Sequence, residues 1–220
     1  MKNILKIMLM MITIFTIAGS AVYAAEIPVS DQDQLITSSD WTEISNLQDE
    51  MKKEEPDATI DYDKALKVYV DCNLIKLQTA DTKKLTSALE SANYVWVIPF
   101  KMEKTYGMFT VAKGLPLSEE AKSVLTKAEQ EEVKNHAGKW MITETAEHTV
   151  EPYYDILLEK REALSDCTRV VLVGSQPGMR QPVALGMDDE TARIWISLGY
   201  QYPVMEKIPE TQNVESGVYS

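Results

Sequence analysis

The chain has 220 residues, 34 of them acidic against 22 basic, for a formal net charge of −12. Such a surface repels phosphate backbones and anionic lipid heads, which argues against a nucleic-acid or membrane-surface partner. With 45% hydrophobic residues the chain can still bury a core of its own, and its length suits one domain with extensions.

The first elements read as an export signal over residues 1–24. Lys2 and Lys6 make the start positive, and Ile7 to Ile17 follow without a charge. That run is well short of the roughly 20 residues a membrane-spanning helix needs. Small residues come next, and Val22-Tyr23-Ala24 places Val and Ala where a signal peptidase accepts small side chains. Cleavage after Ala24 predicts a secreted, periplasmic or surface-associated product with no membrane insertion. Losing the two lysines deepens the charge from −12 to −14.

Residues 25–57 read as a polar, acidic extension with one short helix. Asp40-Trp41-Thr42-Glu43 resembles a capping box, and Trp41, Ile44, Leu47 and Met51 form an apolar stripe that predicts docking onto the main body. Residues 58–205 then alternate strands and helices. Leu66, Val68 and Val70 share one face of a strand over Ala65–Cys72, and Asp81 caps a helix with Leu85 and Leu89 inward. Tyr94–Phe100 is apolar throughout, as in a strand covered on both faces, and Tyr106–Ala112 returns as its hairpin partner. Ser118 opens the longest predicted helix, with Ala121, Val124, Leu125 and Ala128 as its buried stripe and Gly138 as its stop. A strand over Trp140–Thr145 follows, then a helix opened by Pro152.

Three strands close the domain: Arg169–Gly174, Val183–Met187 and Ala192–Leu198. Their connections are too short for parallel crossovers, so they predict an antiparallel meander. A faint echo relates the stretch from Ala88 to that from Ala163, 75 residues on. Each stretch reads as helix, strand, turn, strand. The expected fold is therefore α+β: a mixed, largely antiparallel sheet with about three helices, in which the echo suggests two similar helix–hairpin half-units. Residues 206–220 read as a polar tail.

The sequence names no chemistry outright. Cys72 and Cys167 are the only cysteines. In an oxidising compartment they could pair, at about 4–5 kcal/mol in the chain-entropy model, or remain two separately buried thiols. Glu132 and His136 lie four apart on one helix, but no third ligand is evident, so neither a metal nor another cofactor is expected. Ser175 with His148 lacks the sequence of a nucleophile elbow. The carboxylates Asp61 and Asp63, or Asp188, Asp189 and Glu190, read as wet turns.

The aromatics are the more interesting set. Trp195 lies beside Arg193 on the polar face of a strand and is followed by Tyr200 and Tyr202, a candidate stacking platform for a sugar or peptide; the favoured reading is that a helix or the N-terminal segment covers this face and Trp195 is core, since a mixed sheet with three helices often has both faces covered. The sequence thus favours a non-enzymatic extracellular binding module for an unknown ligand. A hydrolase acting on an extracellular polymer through carboxylates is the alternative.

Overall fold

A computed structural model of the chain describes residues 27–77, 79–148, 151–174, 181–198 and 204–205. The export signal, Ser175, Tyr200, Tyr202 and the C-terminal tail lie outside the described residues.

Among the described residues, nine strands form one sheet. In chain order they are β1 (Thr59–Ile60), β2 (Leu66–Tyr69), β3 (Tyr94–Lys101), β4 (Tyr106–Lys113), β5 (Trp140–His148), β6 (Arg169–Val173), β7 (Val183–Met187), β8 (Ala192–Ser197) and β9 (Val204–Met205). The spatial order is β5-β4-β3-β2-β6-β7-β8-β9, with β1 added to the end of β3. Every pairing is antiparallel except β2 with β6, which run parallel. The α+β expectation holds, and the last strands form the antiparallel meander that their short connections require.

Seven α-helical segments decorate the sheet among the described residues: α1 (Trp41–Ile44), α2 (Gln48–Glu54), α3 (Leu74–Leu77), α4 (Thr82–Glu90), α5 (Glu119–Val124), α6 (Lys127–His136) and α7 (Tyr153–Glu159). Asp81 caps α4 through a hydrogen bond from the Lys84 amide, and Leu85 and Leu89 are buried as their spacing predicts. The long helix expected from Ser118 to Gly138 is instead two. Leu125 is extended at φ −86°, ψ 143°, and Thr126 with Glu129 closes a full capping box that starts α6 afresh. Neither helix has a buried residue: Val124 is 80% exposed, Ala128 is exposed, and Ala121 and Leu125 are only half-buried, so the expected buried stripe does not form. Gly138 does end the helix, at φ +75°, a conformation that costs glycine nothing.

Both faces of the sheet are covered, which explains the unbroken apolar run of β3. On one face, α7 presents Tyr153 and Leu157 to Leu66, Val68, Val170, Leu172 and Ile196. On the other, α3 and α4 lie over Val171, Val183, Leu185 and Trp195. Beside them, residues 35–58 contribute Leu35, Ile44, Met51 and Ala58 to a cluster with Trp96, Ile98, Phe100 and Phe109. Residues 27–58 are thus woven into the sheet's packing. The stretch from Ala88 opens in the last turn of α4, whereas that from Ala163 opens in turns beyond the end of α7; each then enters an antiparallel strand pair, β3–β4 and β6–β7, on either side of β2. Their helices cover opposite faces, so the likeness is one of element order rather than of symmetry.

The N-terminal segment enters the sheet in an unusual way. β2 and β6 pair only through Val68 and Tyr69 with Leu172 and Val173. Before that contact the two strands part, and the segment passes between them. Val29 bridges Val170, whose amide donates to the Pro28 carbonyl at 2.7 Å, and Gln34 bridges Leu66. Ile27 and Val29 are buried on the α7 side, while Leu35 is buried on the opposite side.

Cys72 and Cys167 are both buried thiols. Cys72 belongs to the cluster under α4 and Cys167 to the one under α7, so the sheet separates them. No disulfide joins them, and burial pushes both thiols above their ordinary pKa.

Candidate binding cleft

The pairing register assembles a row of side chains that no single segment contains. Tyr69 lies opposite Tyr94, and Lys113 opposite Trp140. Val95 pairs with Ala112, so Tyr94 and Lys113 are neighbours by continuation. Tyr69, Tyr94, Lys113 and Trp140 therefore cross four strands on one face, at the end of the sheet where β3 and β5 begin and β4 ends. The Tyr94 and Trp140 rings lie 5.8 Å apart, centroid to centroid, and the Lys113 ammonium is 5.5 Å from the Trp140 ring centre. That distance is within the range of a cation–π contact.

Above this row opens a cleft of about 410 Å³, floored by Tyr94 and Trp140 and walled by Leu115, Pro116 and the Ala137–Gly138 turn. The Gly114 amide donates to the Lys139 carbonyl at 2.9 Å, and the Gly138 amide donates to the Gly114 carbonyl at 2.7 Å. These two bonds tie the strand exits together and fix the mouth. Leu115 remains 60% exposed at its edge.

The floor is held from beneath by charge. Asp40, which the sequence marks as a helix cap, makes no capping bond. Its carboxylate instead accepts from the Tyr94 hydroxyl at 2.8 Å and the Trp96 indole at 3.0 Å. The Lys67 ammonium sits 4.4 Å from the Tyr94 ring centre and 5.2 Å from that of Trp96. Burial lowers the Lys67 pKa, against the pull of Asp33 and Asp40. Burial and the Asp40 bond push the Tyr94 pKa well above 10.

Next to this cage lies the most buried charge described. Asp33, 2% exposed, sits in the fork between β2 and β6. It accepts from Arg169 at 2.8 Å, from the Tyr69 hydroxyl at 2.8 Å and from Ser30 at 2.6 Å, with Lys67 at 3.9 Å. A buried carboxylate so completely partnered is a structural clamp, and its partners leave it no free lone pair to offer a substrate.

The residues singled out in the sequence are scattered. Trp195 is 2% exposed and packs with Val171, Val183 and Leu185 under α4, so it belongs to the core. Arg193 is exposed and pairs with Asp188. Asp188 also accepts from the Glu190 and Thr191 amides, closing the β7–β8 turn and holding its carboxyl below the usual range. Arg193 and Trp195 therefore form no shared platform. Glu132 and His136 are exposed on α6, and no group of three metal-capable side chains occurs among the described residues.

Asp61 and Asp63 do share a second open cleft, of about 400 Å³, with Tyr62 and Lys101. Asp61 lies 3.7 Å from Lys64, which binds Asp155 at 2.8 Å. No helix among the described residues is long and apolar enough to cross a membrane.

The cleft at the sheet end escaped sequence reasoning because its residues come from three strands and a turn. Tyr94 opens a run expected to be covered on both faces, Trp140 opens a strand with no further signal, and each is largely enclosed. Their register across β4 was the missing information.

No family model matches this chain, and neither a curated protein nor a solved structure matches it significantly.

Proposed function

We propose that this protein is a secreted, non-enzymatic binding module whose ligand enters the cleft over Tyr94 and Trp140. The observation that carries the reading is the pre-set aromatic floor. Tyr94 is fixed by Asp40, Trp140 is fixed by its strand, and the mouth is pinned by two backbone hydrogen bonds. A rigid apolar cleft with few polar groups favours ligand capture, because little conformational entropy remains to be lost on binding. The charged amino end, apolar run and small-residue junction before Ala25 support export. The test is a screen of small peptides and oligosaccharides by nitrogen-edited NMR of the purified chain, following the Trp140 indole. Leu115→Asp, at an exposed position, should leave the fold intact and weaken any hit at least tenfold. If no compound perturbs Trp140, or if hits ignore Leu115→Asp, the reading fails.

A second reading has one observation in its favour: two carboxylates, Asp61 and Asp63, share the other cleft. A polymer hydrolase could use such a pair as acid and base. Loss of polymer cleavage in Asp61→Asn and Asp63→Asn would favour it, and absence of cleavage by the unmodified protein would remove it.

A further inference from the structure

Both tyrosines of the aromatic row end on one stretch of chain. The Tyr69 hydroxyl donates to Asp33 and the Tyr94 hydroxyl to Asp40, each at 2.8 Å. Asp40 also accepts the Trp96 indole N–H at 3.0 Å, and Asp33 faces Lys67 at 3.9 Å. Lys67 in turn lies 4.4 Å from the Tyr94 ring centre, so the support from Asp33 and that from Asp40 meet at the same ring.

The start of this stretch lies on the far side of the sheet. Ile27 and Val29 pack in the cluster under α7, whereas Tyr69 and Tyr94 pack in the cluster under α4. Between these ends the segment is braced by its own hydrogen bonds. The Gln34 amide donates to the Val29 carbonyl at 3.1 Å and the Ser30 hydroxyl to Asp33 at 2.6 Å. The Thr37 hydroxyl donates to the Asp31 carbonyl at 2.7 Å, and the Asp40 backbone N–H to the Ser38 hydroxyl at 3.3 Å. A stretch tied to itself in this way moves as one body.

Its hold on the sheet is local. The Val170 amide donates to the Pro28 carbonyl at 2.7 Å and the Leu35 amide to the Ala65 carbonyl at 3.2 Å, while β3 and β4 pair at seven successive positions. Units held by fewer backbone bonds open below the free energy of global unfolding. When this one leaves, Tyr69, Tyr94 and Trp96 lose their acceptors together, and Lys67 and Arg169 lose their shared carboxylate. A seated segment with an unset floor would strand the same buried groups, so the two states are tied.

Resting on the binding reading above for what the cleft does, we infer that residues 27–40 are a strap that sets the cleft floor from across the sheet. Fork and floor open and close as one unit, and the row is held in its binding form only while the segment is seated.

Hydrogen exchange of the full chain, followed by nitrogen-edited NMR, reads both ends without a ligand. The Val170 amide reports the fork and the Trp96 indole N–H reports the floor. In the unmodified chain their protection factors should agree within about threefold and lie at least about tenfold below those of the slowest β3–β4 amides. Val29→Ala, on the α7 side, should lower protection of the Trp96 indole by about five- to tenfold. Asp40→Ala, beneath Tyr94, should lower protection of the Val170 amide by a similar factor, and Asp40→Asn, which keeps an acceptor oxygen, should restore most of it. Each variant loosening its own end alone overturns the inference. So does exchange of either reporter only together with the β3–β4 amides, through global unfolding. Should a variant lose the native spectrum, the protection pattern of the unmodified chain decides by itself. An empty ligand screen removes the use of the cleft and leaves the strap standing, whereas independent exchange at the two ends removes the strap and leaves the binding reading standing.

Discussion

Replacing Asp33 by Ala removes the one carboxylate that Arg169, Lys67, Tyr69 and Ser30 all face. Arg169 and Lys67 have side chains only 17% and 11% exposed, so water reaches them poorly once the carboxylate is gone. Two cations would then share a buried fork, with only the pull of Asp40 on Lys67 left to offset them. Breaking a buried ion pair from one side costs about 3–5 kcal/mol, and the second stranded cation places Asp33→Ala at the upper end. For a chain of this size each kcal/mol moves the melting temperature by about 2–4 °C, so a fall of roughly 10–20 °C is expected. Chemical denaturation monitored by tryptophan fluorescence would measure the change directly. The companion variant Arg169→Met should cost less on its own, and the double variant should be more stable than Asp33→Ala alone because it strands fewer charges. If Asp33→Ala lies within 1 kcal/mol of the unmodified chain, the clamp is not holding the fork and the argument is wrong.

Four further outcomes follow from the same structure. Burial raises the Tyr153 pKa to about 12, and Tyr69 and Tyr94 are raised beyond that range. Each then stabilises the fold fully below pH 10 and loses that contribution as pH rises through its folded pKa. Ultraviolet titration of phenolate should show these three ionising after the others, together with unfolding; ionisation of all tyrosines near pH 10 would contradict the burial. Cys72 and Cys167 should resist iodoacetamide in the native chain and take up two equivalents in denaturant, with no mass change on reduction beforehand; a two-dalton gain on reduction would reveal a disulfide. Gly186→Ala would bring a methyl group within 2.7 Å of the Cys167 sulfur and 3.2 Å of Leu164, so it should cost about 1–3 kcal/mol, while Val124→Ser on the exposed arm should change stability by less than 0.5 kcal/mol.

The strands were legible because alternation and apolar runs report directly on which faces are covered. Val183–Met187 occupies the span its sequence marks. The arm between β4 and β5 was misjudged for a different reason. Ala121, Val124, Leu125 and Ala128 have helical spacing, but spacing does not say whether a partner surface exists. The restart at Thr126 was available in the sequence as a Thr-x-x-Glu capping box, and the Ser118 signal upstream masked it. Asp40 was read locally as a cap although its bonds are made with residues 54 and 56 positions away. Asp33 gave no local signal at all, since a buried acid looks like any other until Arg169, 136 residues later, is placed beside it. The cleft was hidden in the same way, by dependence on register between distant strands.

The threading of residues 28–34 between β2 and β6 has a consequence for the order in which the molecule can be completed. Synthesis delivers this segment first, but half of the groove that receives it is made by Arg169 and Val170. Until the later strand emerges, the segment lacks its Val170 and Arg169 partners, and the slot beside β2 stays half built. Closure of the fork is thus a long-range step that no early local structure can replace, and such steps are slow because distant parts of the chain must meet before any contact rewards them. A chain stalled or truncated ahead of residue 169 would hold most of its first five strands and still be unable to shut. Whatever protects nascent copies of this protein has to cover that interval.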